Sequence, residues 1–202
     1  MTADLQLPVA EIVPVILFAY LAGSIPGGLV ITRMMGLTDP RTFGSGNMGA
    51  TNVLRTGSRL AAGLTLVVDA GKGTLAVLVG AGLAGVPGAW IAGPAAFLGH
   101  LFPVWTRFRG GKGFATFLGV TLAYDILTCA LAGATWLACA AAFRYSSLSA
   151  LAAAIVAPGA AYLAVGIETG IILSGLAVVL WIRHAANIGR LWNGEEPRIG
   201  SR

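Results

Sequence analysis

Four stretches of this chain carry residue types that could do chemistry. The first is Gly44-Ser45-Gly46-Asn47-Met48-Gly49-Ala50-Thr51-Asn52-Val53-Leu54-Arg55. It combines small residues, hydroxyls and amides with an arginine, and holds no acid. Glycines leave backbone N–H groups open, and a helix beginning near Asn47 would aim its positive end outward, which suits an anion. A capped interfacial helix with Ser45 as its N-cap is the plainer alternative. The second stretch, Phe108-Arg109-Gly110-Gly111-Lys112-Gly113, sets a cation among free amides just before an apolar run. That is a phosphate site in outline. It is not a Walker A loop, because the G-x-x-x-x-G-K-[ST] spacing is missing and Gly113 stands where Ser or Thr belongs. Its plain alternative is a basic loop. The third runs from Arg183 through His184, Asn187 and Arg190 to Glu195 and Glu196. On a helix, Arg183, Asn187 and Arg190 share one face with His184 at its edge, though a histidine at a helix end also serves as a cap or dipole partner. The fourth is Asp69 with Lys72, inside an apolar run. Charges in a membrane segment are costly, so they pair or line a cavity; an intrahelical ion pair is the simplest form. Ser147, after Arg144 and Tyr145, adds a hydroxyl.

The rest of the chain must hold these groups in place. Of its 202 residues, 56% are apolar and 10% are charged, against about 25% charged in soluble domains. Most of its surface therefore faces something other than water. The 29 glycines fall largely within apolar runs, where small residues let helices approach closely in lipid. Cys129 and Cys139 share one run; on a helix they lie about 15 Å apart, too far to bridge, and read as packing residues. Asp4 and Glu11 precede the first run, where a signal peptide would carry Lys or Arg. That run is expected to stay as a span.

Apolar runs predict an all-α integral membrane protein of one domain, 1–202, with seven transmembrane helices over 12–32, 60–82, 89–105, 114–124, 126–143, 148–166 and 169–182. A Gly-Val-Pro-Gly turn at 85–88 separates the second from the third. The fourth is short: eleven residues of helix reach only about 17 Å. Charge decides whether it crosses. With seven spans and the N-terminus outside, every Lys and Arg apart from Lys72 falls on the inner side, including Arg33, Arg41, Arg59, Arg107, Arg198 and Arg202. The outer segments keep only Asp4, Glu11, Asp125 and Glu168. Inner loops are the ones rich in Lys and Arg, so the short run is expected to span, the loop before it to be sunk below the headgroups, and the C-terminus to be cytoplasmic. The net charge of +5 then belongs to topology and anionic lipid, and no nucleic-acid partner is expected. The polar stretches meet at the cytoplasmic face as a cationic, hydroxyl-rich pocket walled by helices. That suits a phosphate-bearing substrate meeting an acyl chain.

Ser24-Ile25-Pro26, the run from Gly44 to Arg55, Asp69-Ala70-Gly71-Lys72-Gly73, Gly99-His100-Leu101-Phe102-Pro103, Phe108 to Gly113 and Arg183 to Ile188 closely resemble, in order, the PlsY family. These are bacterial membrane acyltransferases that acylate glycerol 3-phosphate from acyl phosphate. The resemblance implies seven helices, an inner-membrane location with the site facing the cytoplasm, and no cofactor or metal. It implies attack of the glycerol 3-phosphate 1-hydroxyl on the acyl phosphate carbonyl, giving lysophosphatidic acid and phosphate. Carried over by motif, Ser45, Arg55, Lys112, Ser147, His184 and Asn187 are expected catalytic residues. Gly44, Gly46, Asn47, Gly49, Asn52, Lys72, Gly110, Gly111 and Gly113 are expected around the substrate phosphate. Asp69 is expected to be structural, as is Glu195 or its neighbour Glu196, with Glu195 taken first. The His-x-x-x-x-Asp signature of acyl-CoA-dependent enzymes is missing: Gly189 and Trp105 stand where its Asp would follow His184 and His100. Gly-x-Ser-x-Gly is missing too. The rival readings are a transporter of a phosphorylated metabolite, which needs polar groups near the midplane, and a lipid-binding scaffold, which would not need so many site-like residues.

Overall fold

A computed structural model describes residues 9–200; Asp4 and Arg202 lie outside them. The first apolar run forms α1 (Val9–Gly23) and α2 (Gly27–Met34), bent by 44° at Ser24-Ile25-Pro26. Pro26 has no N–H to give, so the helix breaks there. A loop follows, containing the short α3 (Ala50–Val53). Ser58 caps the next helix, its Oγ accepting from the Ala61 N–H at 3.1 Å. That element, α4 (Arg59–Leu101), is continuous only in hydrogen bonding. Ala84 and Gly85 leave helical geometry, Gly85 with φ +63°, a left-handed value that glycine adopts without penalty. A Cβ on Gly80 would press on the Gly88 carbonyl and the Ala92 methyl. The chain therefore doubles back into two antiparallel arms, 59–83 and 86–101. The expected turn at 85–88 is found one residue early.

Next come α5 (Phe114–Tyr124), α6 (Ile126–Phe143), α7 (Ser146–Ala164), α8 (Ile167–Arg183) and α9 (Ala185–Trp192). Asp125 caps α6, accepting from the Thr128 N–H at 2.6 Å. α9 leaves α8 at 59°. Among the described residues every regular element is helical, as expected.

The exterior is apolar. Leu127, Leu137, Leu163 and Val178 are each more than half exposed, as befits side chains facing lipid. The interior is built from small residues and a few large ones, with Phe97, Leu101, Phe117, Leu173 and Leu180 fully buried. Lipid tails are as apolar as leucine, so close packing must hold the helices together. Glycines provide it. A side chain on Gly73 or Gly119 would strike the opposing backbone where the first arm of α4 meets α5, and one on Gly23 or Gly99 would do so where α1 meets the second arm. Among the described residues three helices are long and apolar enough to cross a membrane, or five if each bent pair counts as one span. The longest of the three is the α4 stretch, which holds the two arms.

Candidate active site

The site gathers where the loops after α2 and α4 meet the start of α7 and the end of α8. α9 and the tail behind it lead to its centre, the Glu196 carboxylate. Oε1 accepts from Ser147 Oγ at 2.7 Å and from Asn187 Nδ2 at 2.6 Å, and Oε2 from Arg190 Nε at 2.7 Å. Burial pushes the pKa of this carboxyl up, but the three hydrogen bonds and the Arg190 charge outweigh it and hold the group below its ordinary value. It is an anchoring carboxylate, poorly suited to be a base. The turn at Gly194 carries Glu196 inward, while Glu195 is exposed. The structural role expected first of Glu195 therefore falls to Glu196. Two adjacent glutamates look alike in sequence; only the path of the tail separates them.

Lys112 lies among these groups, its surroundings set by Glu196, Arg190, Arg183 and Arg55. Burial, with the three arginines, outweighs the Glu196 attraction and lowers its ammonium to about 8. Four cations gathered around one carboxylate leave a strong positive excess, which is what a phosphate dianion requires. Arg183 donates from Nη2 to the Gly111 carbonyl at 3.2 Å and lies 5.5 Å over the Phe102 ring. Its Nε and the Asn187 Oδ1 are buried without a hydrogen-bond partner. Neither Arg183 nor Arg190 was among the expected catalytic residues, although both lie on the helical face that Asn187 marks.

His184 sits at the α8–α9 bend, 3% exposed. Its Nδ1 donates to the Leu180 carbonyl at 2.8 Å, which leaves the lone pair on Nε2. Burial, then the Lys112 and Arg183 charges, outweighs the Leu180 bond and Glu196 and lowers the imidazole to about 4. It is neutral at pH 7.

The first loop is arranged by Asn52. Its buried amide donates to the carbonyls of Pro40, Asn47 and Phe43 at 2.5, 2.8 and 3.3 Å, and its Oδ1 accepts from the Ser45 N–H at 3.2 Å. Asn47 Oδ1 accepts from the Gly49 N–H at 2.8 Å. Asn52 and Asn47 therefore shape the loop, and the Asn52 amide is already occupied. Gly44 has φ +59°, and a Cβ there would overlap Asn52 and Arg55. Gly46 is left-handed as well. Ser45 and Arg55 are exposed at the loop surface. Thr51 Oγ1 lies 2.9 Å from Ser146 Oγ, which ties this loop to the turn of α7 that carries Ser147.

The structure does not place Lys72 in this group. Its Nζ donates to the Ile25 carbonyl at 2.6 Å and to Asp69 Oδ1 at 2.8 Å, and both side chains are buried. Lys72 braces the α1–α2 break through the Ile25 carbonyl, which also accepts from the Gly27 N–H at 3.1 Å. Asp69 is engaged with Lys72 and lies beside His100. No cluster of His, Cys, Asp or Glu among the described residues could hold a metal.

The family model for glycerol-3-phosphate acyltransferase matches residues 13–194. This chain belongs to the glycerol-3-phosphate acyltransferase family. A glycerol-3-phosphate acyltransferase of Maricaulis maris is 56% identical over 185 residues, covering 91% of this chain and 85% of that one. That of Sinorhizobium medicae is 49% identical over 197 residues, covering 98% and 97%. Two crystal structures of PlsY (YgiH), an integral membrane glycerol 3-phosphate acyltransferase, share the fold. Its glycerol 3-phosphate form has a TM-score of 0.88 at 35% identity, covering 94% of this chain and 96% of that one. Its lysophosphatidic acid form has a TM-score of 0.87 at 34% identity, covering 94% and 95%. The family resemblance in the motifs is thereby established over nearly the whole chain.

Proposed function

We propose that this protein transfers an acyl group from acyl phosphate to the 1-hydroxyl of glycerol 3-phosphate, yielding lysophosphatidic acid and inorganic phosphate at the cytoplasmic face of the bacterial inner membrane. The observation that carries this reading is the meeting of Arg55 and Lys112, from separate loops, with Arg183 and Arg190 beside Ser147, His184 and Asn187. A polar site of that kind at the end of a lipid-facing bundle suits two phosphate groups and one acyl chain. An open apolar groove of about 530 Å³ runs between α7 and α8. It ends at Trp181 and Ile182, one turn from His184, and would take the acyl chain.

An acyl phosphate is already activated, so positioning and charge neutralisation are the main tasks. The 1-hydroxyl oxygen attacks the acyl carbonyl carbon, the bond from that carbon to the phosphate oxygen breaks, and phosphate leaves with the electron pair. Lys112 and Arg55 balance its charge. The hydroxyl proton passes to a substrate phosphate oxygen or to His184 Nε2, whose lone pair is free at pH 7. Ser147 donates to Glu196 and so orients the cluster. A His184→Ala variant that keeps most of its kcat would assign the proton to the substrate. Trapping of an acylated Ser45 would replace direct attack by a two-step route.

The purified protein, given acyl phosphate and glycerol 3-phosphate, is expected to release phosphate and lysophosphatidic acid together. No phosphate above background would sink the reading. The transporter alternative loses its support, because Asp69 and Lys72, its midplane groups, are bound to each other and to Ile25.

A further inference from the structure

Asp69, Lys72 and His100 form a buried cluster outside the site. Asp69 precedes Ala84 by as many residues as His100 follows Gly85, so the doubling back of α4 brings them face to face. His100 Nδ1 lies 3.6 Å from Asp69 Oδ1, both side chains almost fully buried. The other edge of the imidazole bears on the second loop. A Cβ on Gly111 would overlap His100 Nε2, and one on Gly110 would overlap the carbonyls of His100 and Leu101. The Gly111 N–H donates to the His100 carbonyl at 3.2 Å. On its far side Asp69 holds Lys72, and Lys72 holds Ile25. α2 begins just beyond, where Gly28 lies against the Met48 carbonyl of the first loop. One carboxylate thus joins the supports of both loops that carry the site cations.

We propose that His100 is a positioning residue for acyl transfer. Held by Asp69, it seats Gly111 so that Lys112 faces Arg55 across the substrate phosphate, and the Asp69–Lys72–His100 cluster keeps the two loops in register. This rests on the acyltransferase reading above. The test is a double-mutant cycle in the purified full-length protein with His100→Ala, Lys112→Ala and the pair. It is read as kcat/KM with acyl phosphate and glycerol 3-phosphate, and as affinity for inorganic phosphate.

His100→Ala is expected to lower kcat/KM and phosphate affinity about tenfold in the wild-type background, and less than about twofold once Lys112 is alanine, since coupled residues are not additive. His100→Asn, which keeps a donor toward Asp69, should recover most of the loss. Equal losses with and without Lys112 would mean that His100 only stabilises the bundle, and would overturn the proposal. If His100→Ala does not fold, Gly111→Ala disturbs the same contact from the loop side. Its loss should also vanish without Lys112, and persistence of that loss would overturn the proposal as well. An inactive wild-type protein that still binds phosphate through Lys112 would count against the acyltransferase reading and leave the binding arm of this test standing.

Discussion

Lys112 is the residue on which the charge of the site turns. Burial and the neighbouring arginines lower its ammonium to about 8, so its positive charge is present below that pH and is lost above it. The kcat/KM profile reports groups of the free enzyme and is expected to fall as pH rises through about 8. In Lys112→Arg the guanidinium does not titrate in that range, and the fall should disappear even if the maximum is lower. A wild-type profile flat to pH 9.5 would show that the charge of Lys112 is not needed. His184, lowered to about 4, should add no acidic limb between about pH 5 and 7, since its protonation lies below that window.

Among the elements, the tail and α5 decide whether the site holds its shape. The tail returns to the α6–α7 turn: the Ile199 N–H donates to the Arg144 carbonyl at 2.6 Å, and Arg144 Nη2 donates to the Ile199 carbonyl at 3.1 Å. This places Glu196. Glu196→Gln removes the ion pair with Arg190 and puts an amide where three donors point. Leaving buried groups poorly paired costs about 1–3 kcal/mol, so thermal unfolding should begin several degrees lower and kcat/KM should fall with it. The sign with pH follows from the lowered carboxyl. The stability it adds is complete above the ordinary value and lost as pH falls through the lowered one. α5 bears on the site from the other side, because Lys112 lies just before its first turn. Gly119→Ala would drive a methyl into the Ala70 carbonyl. Overpacking of that kind costs about 1–3 kcal/mol, and a drop in both melting temperature and activity is expected. An unchanged melting temperature would show that the two helices can separate without loss.

At the scale of the whole molecule, the α5–α6 hairpin decides how many times the chain crosses. α6 is 18 residues long, or about 27 Å, enough to span, and it ends beside Ser147. Lys112, before α5, feels the charge of the carboxylate that Ser147 bonds. We propose that both ends of the α5–α6 hairpin lie on one side of the bilayer and Asp125 on the other, so that the short α5 crosses. That argues for seven crossings. Cysteine labelling tests it in a protein with Cys129 and Cys139 replaced by alanine. Glu168→Cys should react with an impermeant maleimide on intact cells, and Arg109→Cys only after permeabilisation. Labelling of both from the same side would mean that α5 does not cross.

The sequence by itself determined the membrane class, because a chain with so few charges has no other solvent. It also marked most of the helical runs, through uncharged stretches and the turn beside Gly85, and singled out the candidate substrate loops through motifs whose glycines and cations are local features; the break at Pro26 lay inside what read as one continuous run. What it could not supply was partnership between distant residues. Lys72 looked like a phosphate ligand until the α1–α2 break offered it the Ile25 carbonyl. Glu196 and Glu195 were interchangeable until the turn at Gly194 sent one inward. His100 had a place in a motif but no task until α4 doubled back and set it between Asp69 and Gly111. Each depends on two segments far apart in the chain arriving within hydrogen-bonding or packing distance, and only the packed bundle brings them there.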